Sequence, residues 1–294
     1  MELLQLKYFL ELAKKEHLTE VSESMYVSPP AVSNSISRLE EELGVQLFDR
    51  KGRRIYLNLC GEIYYEYAKR ALDALEDGRR RLEEEKNRKD VRVIVAAYHP
   101  ILWQEAIRMF QEENPSVQVE VRDRGRTDGD ENPLLCEEAD LVLASRREFQ
   151  DPCWDFQELF RDKPAVAVAA GHALAEKESL FLEEVKEEWF ICLPPSPFSS
   201  FCEEMCRQAG FHMKSRITCE SSLRPDLAIY ENMAVLTLEQ CGRLPLYQAM
   251  HVIPLNDKDV EWDACVFWKK QRYLSKGAAM LKDFLAERYA GRRT

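Results

Sequence analysis

The sequence predicts a chain of the α/β class in two parts, a mainly helical N-terminal segment followed by a larger domain of alternating helices and strands. In residues 1–90, apolar side chains recur every three or four positions, which is typical of helices with one buried face. From residue 91 onward, apolar runs of strand length alternate with helical stretches. Such alternation predicts a mostly parallel sheet covered by helices. The 294 residues are enough for each part to bury its own core.

Composition and charge limit the class of protein. With 45% hydrophobic and 32% charged residues, the chain has the composition of an ordinary globular protein. It has neither an apolar run approaching the roughly 20 residues of a membrane span nor the pattern of a secretory signal, so we expect a cytoplasmic protein without a membrane partner. The net charge of −11 lies mostly beyond residue 90, because residues 1–58 and 59–90 each balance to −1. The acidic total therefore does not exclude a nucleic-acid partner for the first segment.

Three helices are predicted within residues 1–44. The third begins at Ser28-Pro29-Pro30, because serine caps helices and proline is tolerated in the first turn, and it ends at Gly44. One of its faces is apolar, and the other carries short hydrogen-bonding side chains and one arginine. We predict that the polar face reads DNA in the major groove, the alternative being a solvated surface. The predicted contact residues are Ser28, Ser33, Asn34, Ser35 and Arg38.

After Gly44 the spacing of the apolar residues changes from that of a helix to that of short strands, which predicts a small hairpin. Its strands contain Leu47-Phe48 and Ile55-Tyr56-Leu57, and the turn between them carries four basic residues. The alternative is a turn whose charged side chains are only solvated, as in many runs of charged residues. After a DNA-reading helix, however, we expect a wing that contacts the DNA backbone or minor groove through Arg50, Arg53 and Arg54.

A long helix is predicted from about Glu62 to about Lys89, with a single apolar seam. The seam consists of Ile63, Tyr67, Ala71, Leu75 and Leu82. Because too little chain surrounds the seam to bury it within one subunit, we expect the helices of two copies to pair.

Two helix starts in the α/β part are predicted to face a ligand. Tyr98-His99-Pro100 follows the first strand, and a serine-rich stretch follows a later one. Both are helix starts, and the N-termini of helices favour anions. We therefore expect a small anionic metabolite in a pocket formed by Tyr98, His99, Arg126, Thr127, Ser196, Phe198, Ser199 and Ser200. The alternative is that the serines and His99 only cap their helices.

No convergent catalytic or metal-binding set is evident in the sequence. The five histidines are scattered, and no P-loop, nucleophile elbow or zincin motif is present. None of the nine cysteines forms a CxxC pair; reduced thiols are expected, with a redox pair at Cys202 and Cys206 as the alternative. We expect no enzyme, no metal site and no cofactor beyond the effector. A solute-binding or catalytic α/β protein with an incidental helical N-terminus is the other class of function considered.

Four segments of the chain resemble the LysR-type transcriptional regulator family. They are Leu6-Lys7-Tyr8-Phe9-Leu10, Val27-Ser28-Pro29-Pro30-Ala31-Val32-Ser33, residues 39–50 (LEEELGVQLFDR) and Gly61. Pro29 and Asn34 depart from the family pattern, which often has a polar residue such as Gln and an Arg there, and Glu231-Asn232-Met233 replaces a Gly-rich turn.

The resemblance implies a winged helix-turn-helix, a dimerising linker helix and a two-lobed effector domain like a periplasmic binding protein. The expected boundaries are 1–60, 61–90 and 91–294, with lobe I at about 91–162 and 269–294 and lobe II at about 163–268. The function implied is that of a ligand-responsive, sequence-specific DNA-binding transcriptional regulator, which acts as a dimer or a tetramer.

Overall fold

Contacts in a computed structural model divide the chain into two units, Met1–Lys86 and Asn87–Thr294. The structure describes residues 1–51, 54–86, 91–123, 138–257 and 260–292. Each unit is built around hydrophobic clusters of its own. No helix among the described residues is long and apolar enough to cross a membrane.

The first unit is a helical cluster with one β-hairpin. Its elements are α1 (Leu3–Lys15), α2 (Leu18–Ser24), α3 (Pro29–Leu43), β1 (Phe48–Lys51), β2 (Arg54–Leu57) and α4 (Leu59–Lys86). Phe9, which is fully buried, packs its ring against Phe48 and Tyr64 at centroid distances of 5.6 and 5.4 Å. These contacts join α1 to the hairpin and to the start of α4.

Local residues set the ends of α3. Ser28 is extended and occupies the N-cap position, and prolines fill the first helical positions, where the backbone N–H groups lack helical partners. At the other end Gly44 takes a φ of +71°, in the left-handed region that ends helices and that glycine adopts without strain. The predicted bounds of this helix are confirmed.

The second unit contains the remaining elements. They are β3 (Val91–Ala97), α5 (Gln104–Glu113), β4 (Val117–Asp123), β5 (Leu141–Ala144), β6 (Trp154–Asp162), β7 (Pro164–Ala169), β8 (Trp189–Cys192), α6 (Pro197–Gln208), β9 (Lys214–Thr218), α7 (Arg224–Glu231), β10 (Val235–Leu238), β11 (Met250–Pro254), β12 (Trp262–Lys269) and α8 (Lys276–Tyr289).

These elements form two lobes. Lobe I is built on a five-stranded sheet of order β4-β3-β5-β12-β6, and lobe II on a three-stranded sheet of order β10-β7-β11 together with the pair β8-β9. The chain leaves lobe I after β6 and returns to it in β12. Because β12 enters from lobe II, it runs antiparallel to both β5 and β6.

Two expectations about this unit need correction. The three-stranded sheet of lobe II is antiparallel throughout, so the prediction of a mostly parallel sheet does not hold there. The strand β12 pairs within the sheet of lobe I, so residues 262–268 lie in that lobe rather than in lobe II. Alternation of helices and strands along the sequence shows neither the direction in which a strand enters a sheet nor which sheet it joins, and this explains both errors.

Candidate nucleic-acid interface and candidate ligand cavity

The predicted DNA-contact residues at α3 lie outside its buried face, with Asn34 and Arg38 directed away from the core. Ser28, Asn34 and Arg38 are exposed, and Ser33 and Ser35 are half-buried. The opposite side is buried through Val32, Ile36 and Leu39. The exposed face of the helix thus carries an amide and a guanidinium, and the hydroxyls of Ser33 and Ser35 flank it on either side; all are groups that can hydrogen-bond to base edges and phosphates.

Two features at the start of α3 add to this face. The Ser28 side chain makes no capping hydrogen bond within the described residues, so its hydroxyl is available to a ligand. Tyr26, in the turn before α3, is 95% exposed and has a φ of +54°. Tyr26 is not predicted as a contact residue from the sequence, because nothing in its local pattern distinguishes a projecting tyrosine from a core tyrosine.

The Glu40 carboxylate ties α3 to the hairpin. Its Oε1 atom accepts hydrogen bonds from the backbone N–H groups of Leu47 and Phe48 at 2.8 and 3.2 Å. Gly61 is required beside this point, because a Cβ there would lie 2.2 Å from the carbonyl oxygen of Leu47. These contacts fix where the hairpin leaves the helix.

The hairpin itself is antiparallel, with Phe48 opposite Leu57, Arg50 opposite Ile55 and Lys51 opposite Arg54. Its two paired strands are those expected of a wing. Arg53 lies outside the described residues, and so do Arg126 and Thr127 of the predicted ligand pocket.

The predicted seam of α4 is exposed in the single chain. Side chains of 54% to 74% exposure lie along it, at Ile63, Tyr67, Leu75 and Leu82, and Ala71 is exposed as well. Exposed apolar side chains in a continuous row mark an interaction surface.

In the second unit, His99 lies between the two lobes. Its backbone takes a φ of +52° before the short 3-10 helix Pro100–Trp103. Its Nε2 atom lies 2.9 Å from Oε1 of Glu148 in lobe I, and its ring packs edge-on against Phe198 of lobe II at 5.7 Å. His99 is therefore more than a helix cap.

A cavity of about 40 Å³ adjoins His99. Lobe I contributes His99, Ile101 and Leu102 to its wall, and lobe II contributes Leu193, Phe198, Ser221, Arg224, Thr237, Leu238, Cys241, Leu246 and Tyr247. The wall is thus mostly apolar with a few polar groups, which is the usual character of a small-molecule site.

Of the predicted pocket residues that the structure describes, His99 and Phe198 line this cavity, and Tyr98, Ser196, Ser199 and Ser200 do not. The Ser196 and Ser199 side chains bond to each other's backbone at the start of α6, with Ser196 Oγ accepting from the N–H of Ser199 at 3.1 Å. Their hydroxyls therefore act as the helix cap that was the alternative interpretation. Ser200 is exposed. Tyr98 packs against the cluster that includes Phe149 and Phe267.

The polar residues that lobe II contributes to the cavity wall are not among those predicted from the sequence. Arg224 is 5% exposed, and Thr237 and Tyr247 are 3% and 4% exposed, with their hydroxyl oxygens 3.4 Å apart. Burial raises the pKa of Tyr247, and the nearby Cys241 thiol raises it further, so the phenol is neutral at pH 7. The sequence shows a helix start at Arg224-Pro225. It does not show that Arg224 is buried, because this depends on strands that are distant in the chain.

Among the described residues, no cluster of histidines, cysteines and carboxylates could hold a metal ion. The cysteines that the structure describes are free thiols. Burial raises the pKa of both Cys202 and Cys206 to about 12, which keeps them protonated.

Family models match both units. Residues 3–62 match the helix-turn-helix domain described as "Bacterial regulatory helix-turn-helix protein, lysR family", and residues 87–290 match "LysR substrate binding domain". Together the two matches cover most of the chain.

Individual proteins are similar over most of their length. The HTH-type transcriptional regulator YybE of Bacillus subtilis is 26% identical over 299 residues, covering 99% of this chain and 100% of YybE. The transcriptional dual regulator GltC of the same organism is 30% identical over 217 residues, covering 72% of this chain and 71% of GltC. The crystal structure of full-length CbnR with its target DNA shares the fold, with a TM-score of 0.55 and 19% identity over 99% of this chain and all of CbnR.

Proposed function

Because the chain belongs to the lysR family of bacterial regulatory helix-turn-helix proteins, we propose that it reads DNA with the polar face of α3 and senses a small anionic metabolite between its two lobes. Its family membership makes it a ligand-responsive, DNA-binding transcriptional regulator and not an enzyme. The DNA-contact residues, the ligand site and the domain limits at 60 and 90 are our proposals.

The observation that carries the DNA proposal is the placement of α3. It follows α2 in a helix-turn-helix arrangement, buries its apolar side and exposes Asn34 and Arg38 together. In helix-turn-helix proteins the N-terminal part of the second helix enters the major groove. An asparagine can pair with both N6 and N7 of adenine, whereas an arginine at the far end suits phosphate. The likeness in fold to CbnR, which was solved with its target DNA, supports this docking.

The effector proposal is supported by the cavity around His99 and Phe198, to which both lobes contribute. A ligand held there contacts both lobes and can change their relative position. We further propose that two copies pair along the α4 seam, and that the protein works in the cytoplasm, where its DNA is. Two paired copies carry two reading helices, which suits an inverted-repeat site.

Gel-shift titrations with the DNA upstream of the chain's own gene test the DNA proposal. We expect Asn34→Ala to lower the affinity by ~1–3 kcal/mol and to relax the preference at one base position. We expect Arg38→Ala and Arg53→Ala to weaken binding to all sequences and to flatten its salt dependence.

Arg108→Ala is the matched control, because it removes one exposed arginine from the second unit. It should leave both the affinity and the salt slope unchanged. If Asn34→Ala, Arg38→Ala and Arg53→Ala behave like this control, the docking proposal is wrong.

A further inference from the structure

The Arg224 guanidinium is a buried cation that has no acidic partner among the residues that the structure describes. The residue is 5% exposed, and in the part of the chain that the structure describes it forms no ion pair. Its hydrogen bonds go to two backbone carbonyls, from Nε and Nη2 to Ile191 at 3.3 Å and from Nη2 to Leu236 at 2.7 Å. Arginines are almost never buried unless they are paired. No carboxylate among the described residues therefore neutralises this charge, which leaves it open to an anionic ligand.

Part of this guanidinium is free, and the residue lines the cavity. Guanidinium carries five N–H donors, and the bonds to Ile191 and Leu236 leave both donors of Nη1 unused. Arg224 is part of the cavity wall. Among the described residues, the one enclosed side-chain polar atom without a partner is Nε1 of Trp103, so Nη1 of Arg224 reaches open space.

The rest of the wall suits the remainder of an anionic ligand. None of the described residues that line the cavity is an aspartate or a glutamate, so none of them repels a negative charge. Thr237 and Tyr247 add neutral hydroxyls, and Leu193, Phe198 and Leu246 are apolar. A singly charged group is neutralised by one guanidinium, whereas a phosphate of charge about −2 would leave charge unpaired in an apolar site.

We propose that Arg224 is the anion-binding residue of the effector site, and that the effector is a small monocarboxylate with an apolar body. The carboxylate accepts hydrogen bonds from Nη1 inside lobe II, and the apolar body lies against Phe198 near His99. This inference rests on the proposed function of the cavity and names the chemistry of its ligand. Arg224 is not one of the anion-binding residues expected from the sequence, which lie around His99, Arg126 and Ser196–Ser200.

Arg224 also joins β8 to β10 through the two carbonyls, and this alone could be its role. A purely structural arginine would affect folding but not the choice between charged and uncharged ligands. The two roles are therefore separated by ligand discrimination.

The test is thermal unfolding of the full-length protein with monocarboxylates from acetate to octanoate, with benzoate, and with the amide that matches each acid. We expect at least one acid to raise the midpoint by roughly 2–4 °C when its concentration exceeds the Kd about tenfold, and its amide to have no effect. Calorimetric titration of that acid should show binding lost in Arg224→Gln and weakened about tenfold or more in Arg224→Lys, which keeps the charge but not the planar fork.

Arg207→Gln is the control, because it removes an exposed arginine of the same lobe that is paired with Glu204. It should bind the acid as the wild type does. If Arg224→Gln does not fold, as judged by circular dichroism, Arg224→Lys supplies the comparison.

The inference is overturned if no acid shifts the wild type, if acid and amide act alike, or if the Arg224 variants bind the acid normally. If a neutral or cationic compound changes the affinity of the protein for DNA, the inference is also overturned, although the proposed function as a regulator stands. Stabilisation by phenyl phosphate but by no carboxylate would overturn the choice of a singly charged ligand.

Discussion

The Nε2 atom of His99 lies 2.9 Å from Oε1 of Glu148, and the other oxygen of that carboxylate accepts a hydrogen bond from the backbone N–H of Ser145 at 2.9 Å. The Glu148 side chain is only 3% exposed. The ring of His99 contacts Phe198 on its other side. Glu148 therefore orients a residue that belongs to one lobe and touches the other.

Removing the Glu148 carboxylate should destabilise the second unit. In Glu148→Ala the buried N–H of Ser145 and the ring of His99 both lose a partner, and we expect a loss of ~1–3 kcal/mol in the free energy of unfolding. Glu148→Gln is the matched control, because its amide can still accept from Ser145 and donate to His99. Urea unfolding followed by tryptophan fluorescence measures both variants. Equal stability of Glu148→Ala and the wild type would show that this link is unimportant.

A charge in the α4 seam should prevent pairing of two copies. Leu75 is 54% exposed in the single chain, and burying a leucine between two helices contributes ~1.5–3 kcal/mol. Leu75→Lys should therefore weaken self-association by at least about tenfold, because it removes this contribution and places a cation in an apolar contact. Light scattering at micromolar concentration gives the mass. Glu66→Lys, which also adds a lysine to an exposed position of α4 but outside the seam, should keep the wild-type mass. A monomeric wild-type protein would rule out the seam as an interface.

Asp162 makes the stability of the second unit depend on pH. It ends β6, where the chain passes into lobe II, and its carboxylate accepts hydrogen bonds from the N–H groups of Lys163 and Gln240 at 2.9 and 3.2 Å. Burial, assisted by the charge of Glu239, raises its pKa from 3.8 to about 6. The folded protein thus takes up a proton as the pH falls through 6, while the unfolded chain does so only near 4.

Since the folded-state pKa is the higher one, protonation of Asp162 stabilises the folded state as the pH falls. The wild type should gain about 1.4 kcal/mol relative to Asp162→Asn between pH 7.5 and pH 5, because the variant has no proton to take up at this site. Urea unfolding of both proteins at the two pH values measures the difference, and other carboxylates cancel in the comparison. A gap between the two proteins that does not change with pH would contradict the raised pKa.

The buried thiols should not respond to oxidants. Cys202 and Cys206 are 4% and 0% exposed, and the thiolate form that reacts is suppressed by a pKa of about 12. Cys60, in contrast, is exposed. Alkylation by iodoacetamide with mass spectrometry of the peptides should modify Cys60 and leave Cys202 and Cys206 unmodified, with or without prior peroxide. Loss of both buried thiols after peroxide would restore the redox alternative.

Local patterns were sufficient to predict α3, the helix that we propose reads DNA. The bounds of α3 follow from Ser28, the prolines after it and Gly44, all of which act within one or two helical turns. Its exposed face follows from the spacing of Val32, Ile36 and Leu39, because each of these must point into the same core. The seam of α4 follows from the same periodicity.

The ligand cavity could be predicted only in part. His99 and Phe198 were identified because each stands at a helix start, which is a local signal. Ser196 and Ser199 carry the same signal, yet the structure uses their hydroxyls as caps. A helix start shows that N–H groups are free, but it does not show whether a ligand or a neighbouring side chain will meet them.

The sequence by itself determined the class of the protein, the helix that we propose to face DNA and the apolar seam, because each depends on residues close together in the chain. Only the tertiary structure decided the direction of β12, the cavity wall and the lack of an acidic partner for Arg224 among the described residues. The guanidinium of Arg224 is held by carbonyls at positions 191 and 236, on two different strands. Whether a charged side chain is buried without a partner depends on which distant strands surround it, and no periodicity or motif in the sequence records that.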